Sequence, residues 1–226
     1  MDGNGRWAQR RLLPRTVGHA KGAAGVKALV ERCAKLGIKY LTLFAFSTEN
    51  WRRPEVEVST LMKLFVQYLE KEKNALADVG VRLKVIGDVD AFSPELKHSI
   101  KVAEDQTAEN ELITLFVAAN YGGRWDVVQA VKKWLADESH QDSNELTEDV
   151  FANYLSTAGA PEVDLLIRTG GERRISNFLN WQVAYSEMYF TDVLWPDFDE
   201  IELVKSLEWY AKRVRRFGLV EEQRAE

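Results

Sequence analysis

The sequence predicts a single α/β domain over residues 1–226, built on a mostly parallel central sheet flanked by helices. Three observations lead there. Short apolar runs of strand length alternate with amphipathic stretches at helical spacing, the pattern of right-handed crossover units. No internal repeat, low-complexity tract or Pro/Gly-rich linker marks a domain boundary. Several polar, arginine-containing segments directly follow apolar runs, at the strand ends where ligands bind in parallel sheets.

The elements follow in order. MDGNGRWAQRRLLPRTVGHAKG leads into a helix, HAKGAAGVKALVERCAKLG, with Ala23, Val26, Leu29, Val30 and Cys33 at helical spacing and Gly37 as its stop. KYLTLFAF is a near-continuous apolar strand. EVEVSTLMKLFVQYLEKEKNALADVG is a long amphipathic helix closed by Gly80. Its stripe of Leu61, Leu64, Phe65, Tyr68 and Leu69 fits core packing and would equally wall a long lipid tail. VRLKVIGD is a strand, and SPELKHSIKVAEDQTAEN a helix with Ser93 as cap and Pro94 at its first position. LITLFVAANYGG is a strand; RWDVVQAVKKWLAD and LTEDVFANYLS, the latter capped by Thr147, are helices. VDLLIRTGG is a strand, SEMYFTDVLW a short strand or edge segment, and DEIELVKSLEWYAKRVRRF the last helix.

With 226 residues and 46% hydrophobic content the chain can bury a substantial core. A net charge of -5 argues against a general nucleic-acid binder. The distribution of charge says more than the total. Gly3 to Val30 contains no acid but holds Arg6, Arg10, Arg11, Arg15, Lys21 and Lys27. Glu187 to Glu202 contains acids and neither Lys nor Arg. Either run, taken alone, reads equally well as a solvated face. The single cysteine, Cys33, excludes an intramolecular disulfide and fits a reducing compartment. No apolar stretch approaches the roughly 20 residues of a membrane span, and no signal peptide precedes the first motif. The expected location is cytoplasmic, with peripheral contact at the inner face of the plasma membrane.

FSTENWRRP, NYGGRW and RTGGERRIS each follow an apolar strand and should share one rim. The first segment offers Asp2, glycines, Arg6, Arg15 and His19, an anion site that lacks the Gly-Lys-Ser/Thr of a P-loop. His19, beside Gly18, is a better candidate than His98 or His140. Arg168, Arg174 and Ser176, with Gly170 and Gly171 allowing close approach, suit a second phosphate-like group. Two anion sites, with Asp2 available for a divalent cation, imply two phosphorylated substrates and Mg²⁺. Ser47, Glu49, Asn50, Trp51 and Arg53 lie between them, Trp51 serving as a core cap in the plainer reading. Glu187, among Met188, Tyr189 and Phe190, is either paired, metal-bound or partly exposed on an edge strand.

Together MDGNGRWA, GHAKG, LFAFSTENWRRP, AANYGGRWD, DLLIRTGGERRISNFL and SEMYFTDVLWPDF resemble the cis-prenyltransferases, most of all the bacterial undecaprenyl diphosphate synthases. The resemblance runs from Met1 to about Gly218, in the family's order. It implies a homodimer with a hydrophobic tunnel, and Mg²⁺-dependent, repeated condensation of isopentenyl diphosphate onto farnesyl diphosphate with Z geometry. It implies that Asp2 is the Mg²⁺-linked catalytic aspartate, helped by Glu187. It implies that Gly3, Asn4, Gly5, Arg6, Trp7, Arg15 and His19 hold the allylic diphosphate. Ser47, Thr48, Glu49, Trp51 and Arg53 would line the path between the sites, and Arg168, Arg174, Ile175 and Ser176 would hold isopentenyl diphosphate. Arg216 and Gly218 would complete the neighbouring subunit's site, and Ile113 and Leu115 would shape the tunnel floor with the Leu61–Leu69 helix. The family assigns Asn50 as proton acceptor. A neutral amide is a poor base, so Asn50 reads as a positioning group, with a diphosphate oxygen taking the proton.

The family also carries an apolar strand ahead of its Met-Asp-Gly-Asn motif, whereas this sequence opens on that motif. Either the sequence begins at an internal methionine or the sheet lacks that strand, and Asp2 is then expected on a terminus with few tethers. Other readings are a shorter-chain Z-prenyl diphosphate synthase and a Mg²⁺-dependent phosphate-ester hydrolase. A non-catalytic partner subunit is a further one, disfavoured by the presence of Asp2 and the diphosphate arginines.

Overall fold

β1 (Tyr40–Ser47), β2 (Val81–Ile86) and β3 (Ile113–Tyr121) pair in parallel in the order β1-β3-β2, in a computed structural model that describes residues 1–139 and 142–214. β4 (Leu165–Arg168) and β5 (Glu187–Phe190) form a second parallel pair. Every pairing is parallel, as alternating strands and helices require, but the strands fall into two sheets rather than one. β3 is central because both its faces are covered: every residue but Thr114 is buried. Leu115 and Val117 point into the main core with Val26, Leu29 and Val30 of α3 (Val26–Lys35), Leu69 and Leu76 of α4 (Glu55–Asp78), and Leu96 and Ile100 of α5 (Pro94–Thr107). Phe116 and Ala118 point the other way, into a cluster with Leu166, Leu179 and Val183. That second cluster is what joins the two sheets.

The local signals hold where the chemistry is local. Gly37 and Gly80 end their helices at φ 80° and 76°, where any other residue would be strained. Ser93 and Thr147 cap α5 and α7 (Glu148–Ala152) through Leu96 N–H (3.3 Å) and Val150 N–H (3.2 Å). α5 also covers the outer edge of β2. Leu83 N–H donates to Thr107 Oγ1 (3.0 Å) and Val85 N–H to Glu104 Oε1 (2.6 Å), so side chains take the place of a neighbouring strand.

Differences from the sequence reading concentrate near the start. A short α1 (Asn4–Gln9) precedes the long helix, which begins at Arg15 and divides at Gly25 into α2 (Arg15–Ala24) and α3. α2 packs tightly on α1 because Gly18 and Gly22 lack side chains. A Cβ there would lie 2.0 Å from Asn4 O and 2.2 Å from Asn4 Oδ1. α6 (Gly123–Ala136) forms as expected, α7 is shorter, and α8 (Glu200–Ala211) closes the described fold. Arg216 and Gly218 lie outside the described residues.

A cavity of about 1530 Å³ runs between the two sheets, and every residue of β1 and of β4 lines it. Among the described residues, neither strand has a partner on that side. Ile113 and Leu115 do not shape its floor: they are 1% and 0% exposed, packed within the main core, because β3 lies behind β1. Met1 lines the cavity at the same place.

Candidate active site

Asp2 is anchored through its backbone as well as its side chain. Asp2 N–H donates to Thr169 Oγ1 (2.9 Å), whose hydroxyl donates back to Asp2 O (2.8 Å). Trp195 N–H donates to the same carbonyl (3.0 Å). Asp2 is thus not the loosely tethered terminus the sequence suggested, because two strand exits bond its backbone. Its carboxylate lies 3.1 Å from Arg168 Nη2 and 3.3 Å from Arg6 Nη2. Burial works to raise its pKa, but the Arg168 hydrogen bond and the charges of Arg168 and Arg6 outweigh it and hold the carboxyl below its usual range. Gly170, at φ 86°, makes room for this junction: a Cβ there would lie 2.6 Å from Arg6 Nη2 and 3.2 Å from the Asp2 backbone.

Arg168 ends β4 and organises the turn that follows. Its guanidinium donates to Ser176 Oγ (2.8 Å) and to Arg174 O, so the turn wraps around one side chain. Ser176 and Asn177 hold φ 50° and 61°, a left-handed conformation that the surrounding bonds must sustain. Arg174 reaches outward, 60% exposed, and pairs with Glu172 Oε2 (2.6 Å). Arg168, Arg174, Ile175 and Ser176 all line the cavity mouth, as the sequence expects of one group.

Facing them is a second cationic cluster whose centre the sequence reading missed. Glu57 Oε2 accepts from Arg15 Nε (3.3 Å), and Oε1 accepts from Arg53 Nη1 (3.1 Å) and lies 3.4 Å from His19 Nε2. The last is an electrostatic neighbour rather than a directed hydrogen bond. Burial would raise the Glu57 pKa, yet Arg15 and Arg53 together bring it below the usual carboxylate range. Burial lowers the pKa of His19, with Arg53 and Arg15 adding to the effect and Glu57 opposing it, so the ring is neutral at pH 7. Gly5 belongs to this cluster by absence: a Cβ there would lie 2.7 Å from the Arg15 guanidinium carbon.

The exit of β1 spans the gap between the clusters. Asn50 Oδ1 accepts from Ser47 N–H (3.1 Å) as half of a capping box, which fixes the amide against the backbone of the β1 exit. Glu49 Oε1 accepts from Asn177 Nδ2 (2.9 Å), and Trp51 Nε1 donates to Asn120 Oδ1 (2.7 Å). Thr48 Oγ1 and Asn177 Nδ2 crowd Gly122. These contacts bring the exits of β1, β3 and β4 onto one rim. Trp51 is 41% exposed and rests its ring edge-on against Phe46, so it caps the core and borders the rim at once.

Two expected site residues stand apart. Trp7 is 9% exposed, packed on Ala8 and Leu194, and its Nε1 donates to Asp197 Oδ1 (2.6 Å). It anchors α1 and does not line the cavity. Glu187 opens β5 and pairs with Arg213 Nε (3.1 Å). In the strand register it faces Leu165, whereas Arg168 faces Phe190 at the other end, so Glu187 does not join Asp2 within the chain. Among the described residues no three His, Cys, Asp or Glu side chains gather into a metal site. Asp2 alone fits a hard cation that takes its other ligands from a bound diphosphate, being ionised and 39% exposed. Below the rim the cavity turns apolar, with Val26, Leu29, Leu43, Met62, Phe65 and Leu69 along its wall.

Two cationic clusters at one cavity, an ionised aspartate paired to one of them and an apolar wall beneath mark a cis-prenyltransferase. A family model described as "Putative undecaprenyl diphosphate synthase" matches residues 1–218, and the chain belongs to that family. It is 54% identical over 223 residues to an isoprenyl transferase of Neisseria gonorrhoeae, covering 99% of this chain and 88% of that one. It is 50% identical over 228 residues to a ditrans,polycis-undecaprenyl-diphosphate synthase ((2E,6E)-farnesyl-diphosphate specific) of Vibrio vulnificus, covering 99% and 90%. The crystal structure of lavandulyl diphosphate synthase from Lavandula x intermedia, in complex with dimethylallyl diphosphate, superposes with a TM-score of 0.93 at 35% identity, covering 96% of this chain and 95% of that one. That of a probable undecaprenyl diphosphate synthase from Campylobacter jejuni gives 0.79 at 31% identity, covering 88% and 92%.

Glu57 holds two long cationic side chains in place, and ordering each on binding costs about 0.5–1.5 kcal/mol. Glu57→Ala is therefore expected to weaken inorganic pyrophosphate binding several-fold by calorimetry, with a lowered melting temperature because Arg15 and Arg53 lose their shared counter-charge. In Glu57→Gln the His19 ring, followed by NMR, should titrate lower than in the parent, since the carboxylate that lifts its pKa is gone. An unmoved His19 titration would show that the cluster is not electrostatically coupled.

Proposed function

We propose that the protein condenses isopentenyl diphosphate repeatedly onto farnesyl diphosphate, with Z geometry, to give a long-chain polyprenyl diphosphate such as undecaprenyl diphosphate, the lipid carrier of cell-wall synthesis. One observation carries this reading: His19 and Arg53, gathered with Arg15 by Glu57, and Asp2, Arg168, Arg174 and Ser176 line one cavity of about 1530 Å³ whose wall is otherwise largely apolar. The first group takes the allylic diphosphate, with Gly5 against Arg15, and the second the isopentenyl diphosphate, with Arg6 paired to Asp2 beside Arg168. Mg²⁺, held by Asp2 and diphosphate oxygens, would supply charge neutralisation for the leaving group.

In the reaction the allylic C1–O bond breaks and pyrophosphate departs with the electron pair. The double bond of isopentenyl diphosphate then forms the new bond to C1. Arg15 and Arg53 absorb the growing negative charge on the departing diphosphate. Arg168 and Ser176 hold the second diphosphate so that its alkene lies close and aligned. A C2 proton is lost to a diphosphate oxygen as the new double bond forms. Asn50, whose carbonyl is bonded to Ser47 N–H, keeps the β1 exit in shape rather than taking that proton. The growing chain descends between α4 and the sheet, against Met62, Phe65 and Leu69.

We infer a homodimer in which Arg216 and Gly218 reach the neighbouring site, and a cytoplasmic enzyme touching the membrane peripherally. Among the described residues no helix is long and apolar enough to cross a membrane. A shorter-chain Z-prenyl diphosphate synthase is the second reading, favoured by the 0.93 superposition on the lavandulyl enzyme.

Incubation with farnesyl diphosphate and radiolabelled isopentenyl diphosphate is expected to give Mg²⁺-dependent, long-chain product with release of pyrophosphate. Release of inorganic phosphate from one substrate alone would instead indicate a hydrolase, and a product of one or two additions the shorter-chain reading. Asp2→Ala should lower turnover by roughly a hundredfold or more, the scale of losing a transition-state charge contact. Asn50→Asp is expected to show no new acidic limb in its pH–rate profile. A new limb with full activity would restore a direct base role to this position.

A further inference from the structure

The segment joining α1 to α2 is exposed at every residue from Gln9 to Arg15. Its tip is apolar. Leu12 is 95% exposed, Leu13 40%, and Val17 on the first turn of α2 40%. Leu12 also holds φ 56°, a conformation in which a leucine gains nothing over glycine or asparagine. Bare leucines on a polar surface mark a contact made elsewhere.

Charge identifies that contact. Arg10 and Arg11 precede the tip and Lys21 follows it, all exposed, and no acid occurs between Gly3 and Val30 in a protein of net charge -5. Arg11 is drawn to Asp197 (3.5 Å) and lies over the Trp7 ring, whereas Arg10 and Lys21 make no ion pair with another described residue. Apolar side chains at the tip with cations set just behind them match the layering of an anionic bilayer, acyl chains first and phosphates above. The same two helices carry Asn4 and Arg6 on one side and Arg15 and His19 on the other. A tip seated in lipid would therefore set the cavity mouth close to the bilayer surface.

We propose that Leu12, Leu13 and Val17 insert into the surface of a membrane containing anionic lipid, with Arg10, Arg11 and Lys21 against its phosphates. This gives the product of the proposed reaction a lipid outlet, but it stands apart from that reaction, because binding is measured with no substrate present. Three apolar side chains and a few cations make a weak, reversible, salt-sensitive attachment rather than an anchor.

The test is co-sedimentation of the full chain with phosphatidylglycerol/phosphatidylcholine vesicles and with pure phosphatidylcholine vesicles. Partitioning onto the anionic vesicles is expected to be about tenfold stronger, and to fall with added salt. Leu12→Asp/Leu13→Asp and Arg10→Glu/Lys21→Glu should each reduce it about tenfold. Leu12→Gly, which relieves the left-handed strain and so keeps the fold, should weaken it in the same direction. Turnover of short soluble substrates should be unchanged in all of them, since none of these side chains lies in the site. Equal vesicle binding by parent and tip variants overturns the proposal, as does no binding by the parent at low salt. A tip variant that changes the sedimenting mass of the protein while vesicle binding stays level would make this surface a protein contact instead, which also overturns it.

Discussion

The clamp on Asp2 is the constraint from which the rest of the site takes its shape. Thr169 and Trp195 fix its backbone, so the start of the chain is bonded to the end of β4 and to the segment after β5, across 167 residues in the first case. Its carboxylate then draws Arg6 from α1 and Arg168 from β4 onto one point. Two guanidinium groups at such a distance would repel without the anion between them. The carboxylate is held ionised by the cations it gathers.

Glu57 repeats the device on the other side of the mouth. It collects Arg15 and His19 from α2 and Arg53 from the exit of β1, and does so partly buried, where the interaction is less screened than on open surface. Each cationic cluster is thus ordered before any diphosphate arrives. A site organised this way loses little side-chain freedom on binding, and its arginines can turn from a protein carboxylate to a ligand phosphate without crossing open solvent. The positive charge needed to stabilise a departing diphosphate is kept folded and stable by acids standing beside it.

Much of this was legible in the sequence. The alternation of strands and helices, the parallel pairing, the glycine stops and the Ser93 and Thr147 caps all depend on local patterns that folding does not override. The placing of three polar exits on one rim follows from parallel topology alone. What escaped depends on long-range partners. Glu57 sits in the first turn of an amphipathic helix and reads as an ordinary surface acid until Arg15 is brought to it. Trp7 lies within a polar motif, but its fate is decided by Leu194 and Asp197, far along the chain. The apolar neighbours of Glu187 leave it paired, metal-bound or partly exposed, and only the fold brings Arg213 to pair with it. Gly18 and Gly22 carried a usable signal, since two glycines four apart mark a close helix approach, but nothing local says to which helix.

The account rests on two separate diphosphate anchors sharing one mouth. Calorimetric titration tests this most directly: saturate the protein with a non-reacting thiolo analogue of farnesyl diphosphate, then add isopentenyl diphosphate. One further site per chain should appear, lost in Arg168→Ala but retained in Arg15→Ala, which should instead weaken the analogue. If isopentenyl diphosphate displaced the analogue, or either substitution abolished both bindings alike, the two anchors would be a single site and the account would be wrong.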